Sequence, residues 1–260
     1  MIVAGIDIGS LSTDTVVLNE HKEILSYSIV PTGASSKKAC VASYDQAIDQ
    51  AKIKKEDVEY VVSTGYGRKG VDFADDQVTE ITCHARGLHF WNPNIGRIID
   101  IGGQDSKAIA INGNGKVMKF AMNDKCAAGT GRFLEVMARA LEIKLEKMGE
   151  LSLISTESIS ISSMCTVFAE SEIISLIADG KPIEDLIKGI HMSVSGRVLG
   201  LLDRVGGKGD IAMSGGVAKN IGIVKAIEEK LGINLNIPEE PQIMGALGAA
   251  IIALEKIQSM

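Results

Sequence analysis

A repeat within the chain constrains its fold more than any other feature of the sequence. At a constant offset of 93 positions, with no gap, Asp7-Ile8-Gly9 aligns with Asp100-Ile101-Gly102, and Lys22-Glu23-Ile24 aligns with Gly115-Lys116-Val117. Two β-hairpins with a glycine turn can resemble one another by chance, but the shared Asp-Ile-Gly favours internal duplication. The chain is therefore predicted to contain two related halves, each with a strand that ends in a carboxylate and a glycine turn.

Hydrophobic periodicity predicts the same order of elements in both halves. For the first half we predict strands over 2–8, 14–19 and 23–30, a helix over 38–52, a strand over 58–63 and a helix over 79–90. For the second we predict strands over 97–102, 107–112 and 116–122, a helix that begins near Ala127 or Ala128, a strand over 210–213, and helices over 217–231 and 244–257. Such a mixture of strands and helices is typical of an α/β fold.

The length of 260 residues and the hydrophobic fraction of 45% allow two lobes of roughly 100 residues each. We predict a first lobe over 1–94 and a second over 95–242, with a helix over 243–260 that packs back on the first lobe. The net charge of -6 and the lack of an arginine-rich run argue against nucleic acid as a partner. No apolar run reaches the ~18 residues of a membrane span, and no export signal opens the chain, so we expect a cytoplasmic protein without a membrane partner.

The two repeated turns have the chemistry of phosphate-binding loops. In the first, Asp7 is placed to hold Mg²⁺ through water, and backbone amides near Gly9 can face an anion without interference from a Cβ atom. Hydroxyl groups beside this turn suit a β or γ phosphate; they belong to Ser10, Ser12 and Thr13. In the second, Asp100 supplies another carboxylate and Gln104 an amide able to orient an attacking water. Gly102, Gly103 and Lys107 are the predicted phosphate contacts of this copy.

A third glycine loop completes a predicted nucleotide site. Residues 213–220 read as a strand end, a glycine pair and a helix start, where the backbone can pass close to a base or ribose. We predict that Gly215, Gly216, Asn220 and Gln242 flank the nucleoside.

These three loops, in this order and spacing, resemble the actin-like ATPase superfamily, which includes sugar kinases, acetate kinase and the Hsp70 chaperones. The resemblance spans nearly the whole chain and implies a ribonuclease H-like fold with two duplicated lobes around a cleft that binds ATP or ADP. Relatives commonly carry a lysine near the end of the first hairpin, where this chain has Asp14. The matching position of the second hairpin keeps a base, Lys107.

Two of the four cysteines share one sequence context. Cys126 follows candidate helix N-cap residues, and Cys165 follows a polar, strand-like segment. A helical pattern comes after each cysteine, and the N-terminus of a helix favours the thiolate form of a nearby cysteine. Two thiolates are too few for a zinc ion or a four-iron cluster, each of which takes about four ligands. A two-fold dimer would supply the two missing ligands. Cys40 and Cys83 read as small buried hydrophobes, and from the residues alone that interpretation stays open for Cys126 and Cys165 as well.

Segments 123–133, 162–171 and 64–68 resemble the family of ATP-dependent activators of 2-hydroxyacyl-CoA dehydratases, which is related to the ATPase subunits of benzoyl-CoA reductase. The resemblance implies a homodimer with one 4Fe-4S cluster at its two-fold axis, held by Cys126 and Cys165 of each subunit. It also implies that ATP hydrolysis lets the cluster pass one electron to a dehydratase, with ferredoxin or flavodoxin as the electron donor. We expect the surface near Lys125 and Met164 to meet the dehydratase.

Two other functions compete with this interpretation. A small-molecule kinase would keep the ATP hairpins but would also need an acceptor pocket with a base, and the sequence offers no such constellation. A binding module of the Hsp70 or cytoskeletal type would need a peptide domain or heterologous contacts that form filaments. Colour and oxygen lability would separate a cluster protein from a kinase, and sedimentation would separate a closed dimer from a filament.

Overall fold

The computed structural model describes residues 1–161 and 165–260 and places them in two mixed sheets flanked by helices. The described strands are β1 (Ile2–Ile8), β2 (Ser12–Asn19), β3 (Ile24–Pro31), β4 (Tyr60–Thr64), β5 (Asp76–Gln77), β6 (Ile95–Ile101), β7 (Ser106–Ile111), β8 (Val117–Asn123) and β9 (Asp210–Ser214). The described helices are α1 (Ser36–Ala51), α2 (Glu80–Trp91), α3 (Gly131–Ala140), α4 (Met148–Leu153), α5 (Thr166–Ala178), α6 (Ile183–Val205), α7 (Ile221–Leu231) and α8 (Met244–Gln258).

The two sheets repeat one another. The strand order is β3-β2-β1-β4-β5 in the first sheet and β8-β7-β6-β9 in the second. In each, three strands form an antiparallel meander, and a later strand pairs in parallel with the first of them. Strands β1 and β6 begin 93 positions apart, as do β3 and β8. The two hairpins that repeat in the sequence therefore form equivalent parts of the two sheets.

Helix α8 lies on the first sheet although it follows the second sheet in the chain. It contacts β1, β2, β4 and α2. Gly5 lets β1 approach it closely, because a Cβ atom at Gly5 would lie 2.1 Å from the carbonyl oxygen of Ala246. The small residues at the start of α8 are thus used for backbone packing against a strand. The division of the chain after residue 94 stays a prediction.

The second sheet carries a larger insertion than the first. Helices α3 to α6 lie between β8 and β9, where the first sheet has only α1 between its third and fourth described strands. The 23-residue helix α6 was not predicted from the sequence. Its buried face includes Gly189, His191 and Ser195 beside apolar residues, so the apolar periodicity that reveals an amphipathic helix is interrupted. No described helix is long and apolar enough to cross a membrane.

Two predicted helix starts were wrong. The helix expected near Ala127 begins at Gly131, because residues 127–130 form a turn closed by the amide of Thr130 on the carbonyl oxygen of Ala127. The helix expected from position 217 begins at Ile221, after a 3-10 turn over Gly216–Lys219. In both places the chain first makes a tight turn, which sequence periodicity does not distinguish from a helical turn.

Candidate functional site

A cleft of about 490 Å³ lies between the two sheets. Its walls come from the ends of β1 and β6, which bring the two repeated turns face to face, and from the loop after β9. Predicted site residues that line it are Asp7, Gly9, Ser10, Ser12, Asp100, Gly102, Gly103, Gln104, Lys107, Gly215, Gly216, Asn220 and Gln242. The three glycine loops of the sequence therefore meet in one place.

Thr13 is the predicted contact that the structure places elsewhere. Successive side chains of a strand point to opposite faces of the sheet, so Ser12 and Asp14 face the cleft while Thr13 faces away. Its hydroxyl is fully buried and shares a 2.9 Å hydrogen bond with Thr32. Thr13 is thus placed to anchor the first hairpin.

The first hairpin is a tight turn tied to the nucleoside side of the cleft. The amide of Gly9 donates to the carbonyl oxygen of Ser12 at 2.9 Å. The Ser12 hydroxyl donates to Asp14 at 3.2 Å and accepts a 2.8 Å hydrogen bond from the side-chain amide of Gln242. Gln242 therefore ties the first hairpin to the segment before α8, whose Pro241 accepts a hydrogen bond from the amide of Gly215 in the third loop.

The second hairpin is organised around a buried lysine. Lys107 lies 3.2 Å from Asp100, 2.8 Å from Asp105 and 3.2 Å from Glu80. Burial alone would lower the pKa of Lys107, but the three carboxylates outweigh it and raise that pKa above its usual range. Lys107 is charged and already engaged by carboxylates, so a phosphate that binds it must share it with them.

A histidine that the sequence analysis passed over joins the two hairpins. His84 on α2 is buried, with Nε2 3.7 Å from Asp7 and Nδ1 3.5 Å from Asp100. Ser214, at the end of β9, donates a 2.9 Å hydrogen bond to Asp100. The four-residue spacing of Glu80 and His84, which puts both on one helix face, was the available signal.

The two facing carboxylates have different electrostatic surroundings. Burial raises the pKa of Asp7 to about 6, and His84 only partly offsets this. Burial would also raise the pKa of Asp100, but His84, Lys107 and the Ser214 hydroxyl outweigh it and hold that pKa below its usual value. Asp100 is therefore an ionised member of a satisfied network, whereas Asp7 retains the cost of a buried charge.

The third loop is built by a glycine and a capping asparagine. Gly215 has a φ of 84°, and its amide donates to the carbonyl oxygen of Pro241 at 3.0 Å. The side-chain oxygen of Asn220 accepts from the amides of Gly222 and Ile223, which caps α7. The loop thus holds backbone and a helix N-terminus against the cleft.

The cysteines fall into two classes. Burial raises the pKa of Cys40 to about 11 and that of Cys83 to about 12, as expected for inert core thiols. Cys126 and Cys165 are exposed. Cys165 directly precedes α5 as its N-cap residue, whereas Cys126 lies five residues before α3, so only Cys165 has the predicted position at a helix N-terminus.

The loop of Cys126 is held by Asn123. The side-chain oxygen of Asn123 accepts from the amide of Cys126 at 3.2 Å, and its amide group donates to the carbonyl oxygens of Cys126 and Ala128. Ser162, Ser163 and Met164, which lead to Cys165, lie outside the described residues, and so does the predicted partner contact at Met164. Within the described ranges no group of three or more His, Cys, Asp or Glu side chains is arranged to hold a metal ion.

Residues 4–253 match the BadF/BadG/BcrA/BcrD ATPase family. The chain belongs to this family. It is 48% identical to the activator of lactoyl-CoA dehydratase from Anaerotignum propionicum, over 99% of both chains. The structure of (R)-2-hydroxyglutaryl-CoA dehydratase component A from Acidaminococcus fermentans superposes with a TM-score of 0.96 at 46% identity, over 99% of both chains.

A nucleotide-bound structure is also similar to this ATPase. The activator of 2-hydroxyisocaproyl-CoA dehydratase from Clostridium difficile, solved with bound ADPNP, matches with a TM-score of 0.94 at 42% identity, over 100% of this chain and 96% of that one. A glucokinase of the ROK family from Streptomyces griseus shares the fold alone, with a TM-score of 0.60 at 16% identity, over 98% of this chain and 100% of that one. The predicted actin-like ATPase fold is confirmed.

Proposed function

We propose that this ATPase is an iron-sulfur homodimer that injects a single electron into a 2-hydroxyacyl-CoA dehydratase and so starts radical dehydration of the acyl-CoA. The observation that carries the proposal is that two exposed cysteines belong to the half of the chain whose hairpin forms one wall of the nucleotide cleft. Relatives that are 43% to 48% identical over nearly the whole chain are named activators of such dehydratases, which supports the same role here.

For ATP hydrolysis we assign Asp7 and Asp100 to the geometry of Mg²⁺ and the phosphates, and Gln104 to the attacking water. Asp7 fits a cation because it is a buried carboxylate on the cleft wall whose ionisation burial opposes. Bound Mg²⁺ would neutralise the charge that develops on the phosphates. Phosphate contacts are assigned to Gly9, Ser10, Ser12, Gly102, Gly103 and Lys107, and nucleoside contacts to Gly215, Gly216, Asn220 and Gln242.

Two backbone hydrogen bonds support coupling between the cleft and the cysteines. The amide of Gly131 donates to the carbonyl oxygen of Gly102 at 2.9 Å, and the amide of Arg132 donates to that of Gly103 at 2.8 Å. Helix α3 begins at Gly131, and the loop that leads into it carries Cys126. A phosphate that moves the second hairpin would therefore pull on the Cys126 loop through the start of α3.

The electron carrier in this proposal is one 4Fe-4S cluster per homodimer. Cys126 and Cys165 supply two thiolates per chain, which is half the set that a four-iron cluster needs, so a second copy completes it. When bound, the cluster would supply one-electron chemistry, donating a single electron to the dehydratase. Ferredoxin or flavodoxin would then return the cluster to its reduced state.

Metal analysis under anaerobic conditions tests this function. We expect about four iron and four acid-labile sulfide per dimer, lost in Cys126→Ser and in Cys165→Ser. Cys40→Ala is the matched control, since Cys40 is a buried thiol of α1 and should leave the iron content unchanged. A folded, ATP-binding dimer without iron would contradict the proposal and favour a small-molecule kinase.

A further inference from the structure

The two phosphate hairpins differ most where Asp14 of the first matches Lys107 of the second. In the first, β2 places Asp14 opposite Asp7; in the second, β7 places Lys107 opposite Asp100. We propose that Asp14 is a ligand of a divalent cation, which Asp7 and Asp14 hold against the nucleotide phosphates where the second hairpin uses a lysine. This inference rests on the nucleotide binding of the proposed function and deepens it.

Asp14 is a buried carboxylate with an unused oxygen. Only 4% of the residue is exposed, and it lines the cleft. One oxygen accepts the hydrogen bond from Ser12, and the other, Oδ1, has no hydrogen-bond partner among the described residues. A buried charge without a partner is costly. A bound cation would supply the partner that Oδ1 lacks in the described part of the chain.

The excess of carboxylates over lysines in the cleft lining also favours a bound cation. Among the described residues that line the cleft, the carboxylates are Asp7, Asp14, Glu80, Asp100, Asp105, Asp124, Glu135 and Glu146, and the lysines are Lys107 and Lys219. Both lysines are already engaged, Lys107 by three carboxylates and Lys219 by Glu240 at 2.8 Å. A polyphosphate would meet a negative surface at the first hairpin, so its charge must be balanced by an ion that it shares with the protein.

The ligand set suits Mg²⁺. This ion is usually held by one or two carboxylates together with substrate phosphates and retained waters. A site of that kind contains no cage of three protein ligands, in agreement with the described residues. Asp100 is less suited to the role because Lys107 and Ser214 already engage it. Direct contact with the cation is therefore assigned to the first hairpin, and Asp100 keeps its part in the phosphate geometry through Lys107 of the second hairpin.

Calorimetric titration with ADP, in excess Mg²⁺ and in EDTA, tests the assignment on the anaerobically purified protein. The measured quantity is the Mg²⁺ enhancement, which is the ratio of the two dissociation constants. We expect Asp14→Asn to reduce this ratio by about tenfold or more. Asp14→Lys should bind ADP more tightly than the wild type in EDTA and should lose the enhancement. Asp203→Asn makes the same substitution at an exposed position of α6 outside the cleft and should keep the wild-type ratio.

The outcomes are distinguishable. If the wild type shows Mg²⁺ enhancement and Asp14→Asn keeps or increases it, Asp14 is not a ligand, and the proposal is overturned while nucleotide binding stands. If the wild type binds no ADP in either solution, the proposed function fails together with this inference. Thermal unfolding in EDTA checks the variants: Asp14→Asn should melt no lower than the wild type, because it removes a carboxyl group whose ionised form is disfavoured by burial.

Discussion

At the scale of single residues, the site depends on polar side chains that are buried and whose partners come from distant parts of the chain. His84 lies between Asp7 and Asp100, the two carboxylates predicted from the sequence, and it comes from α2, outside both hairpins. Lys107 was predicted as a phosphate contact, and the structure surrounds it with three carboxylates. Local sequence identifies the chemistry of such residues but not the partners that tune it.

His191 predicts a specific sensitivity to acid. Burial first and Lys188 second lower its pKa from 6.5 to about 3. The folded state therefore favours neutral His191, and the stability this confers is complete above pH 6.5 and is lost as pH falls towards 3. Between pH 8 and pH 5 the wild type should lose about 2 kcal/mol more free energy of unfolding than His191→Gln. Denaturant titrations at both pH values measure this.

The control for His191 is the exposed His21, which lies in the turn between β2 and β3. His21→Gln should show the same pH dependence of the free energy of unfolding as the wild type. If His191→Gln also keeps the wild-type dependence, buried His191 does not contribute to acid sensitivity.

Lys125 lies next to Cys126 on the surface and tests the proposed docking region. If the proposed function holds, Lys125→Glu should slow electron transfer to the dehydratase by on the order of tenfold at low ionic strength, while ATP hydrolysis by the ATPase alone stays near the wild-type rate. Lys38→Glu, an exposed position on α1, is the matched charge reversal. Equal transfer rates for the two variants would exclude Lys125 from the contact surface.

At the scale of elements, the same turn follows a parallel strand in both halves. Gly65 follows β4 and Gly215 follows β9, and both have a φ of 84°. A Cβ atom at Gly65 would lie 2.3 Å from an oxygen of Asp7, and one at Gly215 would lie 2.9 Å from an oxygen of Asp100. Each half therefore places a glycine where its strand passes the carboxylate of the neighbouring strand.

Gly215→Ala should damage the second half of the cleft. The new Cβ atom would lie 2.4 Å from the carbonyl oxygen of Ile101, and the positive φ adds strain. We expect a loss of about 1–3 kcal/mol in stability and weaker ADP binding. Gly216→Ala is the control for stability, because its nearest contact would be Gln242 at 3.9 Å. Equal melting temperatures for the two variants would contradict the argument.

At the scale of the whole molecule, the cleft and the Cys126 loop are parts of one continuous structure. The second hairpin receives the first two amides of α3, and Asn123 holds the loop that precedes it. The first hairpin is connected to the third loop through Gln242, which donates to Ser12, and its neighbour Pro241, which accepts from Gly215. A nucleotide in the cleft would therefore be connected to Cys126 through the backbone bonds at the start of α3 and the Asn123 side chain.

Amide hydrogen exchange tests whether nucleotide binding in the cleft affects the loop of Cys126. Because Gly131 and Arg132 donate to the second hairpin, ADP with Mg²⁺ should slow exchange over residues 127–133 by about tenfold or more, as ligand binding stabilises the closed form. Helix α1 serves as the internal reference. It packs on the face of the first sheet opposite α8 and contacts β1, β2 and β3. Unchanged exchange over 127–133 in a nucleotide-saturated protein would show that the cleft and the cysteine loop are uncoupled.

Much of the fold could be predicted because its signals are local. The two hairpins, the strand that leads to Gly215 and the last helix follow from alternation, helical spacing and glycine turns, and the starts of β1 and β6 and of β3 and β8 keep the 93-residue offset. The loops that line the cleft were identified for the same reason. Thr13 was predicted to contact a phosphate, but its side chain faces away from the cleft. At a strand end the sequence does not show which of two successive side chains lies on which face of the sheet.

The sequence by itself determined that two related β-hairpins with carboxylates and glycine turns would carry a nucleotide, and that Cys126 and Cys165 share one sequence context. Only the tertiary structure decided which side chains complete the site: His84 from α2, Glu80 beside Lys107, and Ser214 from β9. It also decided that Asp14 lies in the cleft with an unused oxygen. The physical reason is that turns and periodicity depend on neighbours in the chain, whereas burial and charge pairing depend on neighbours in space.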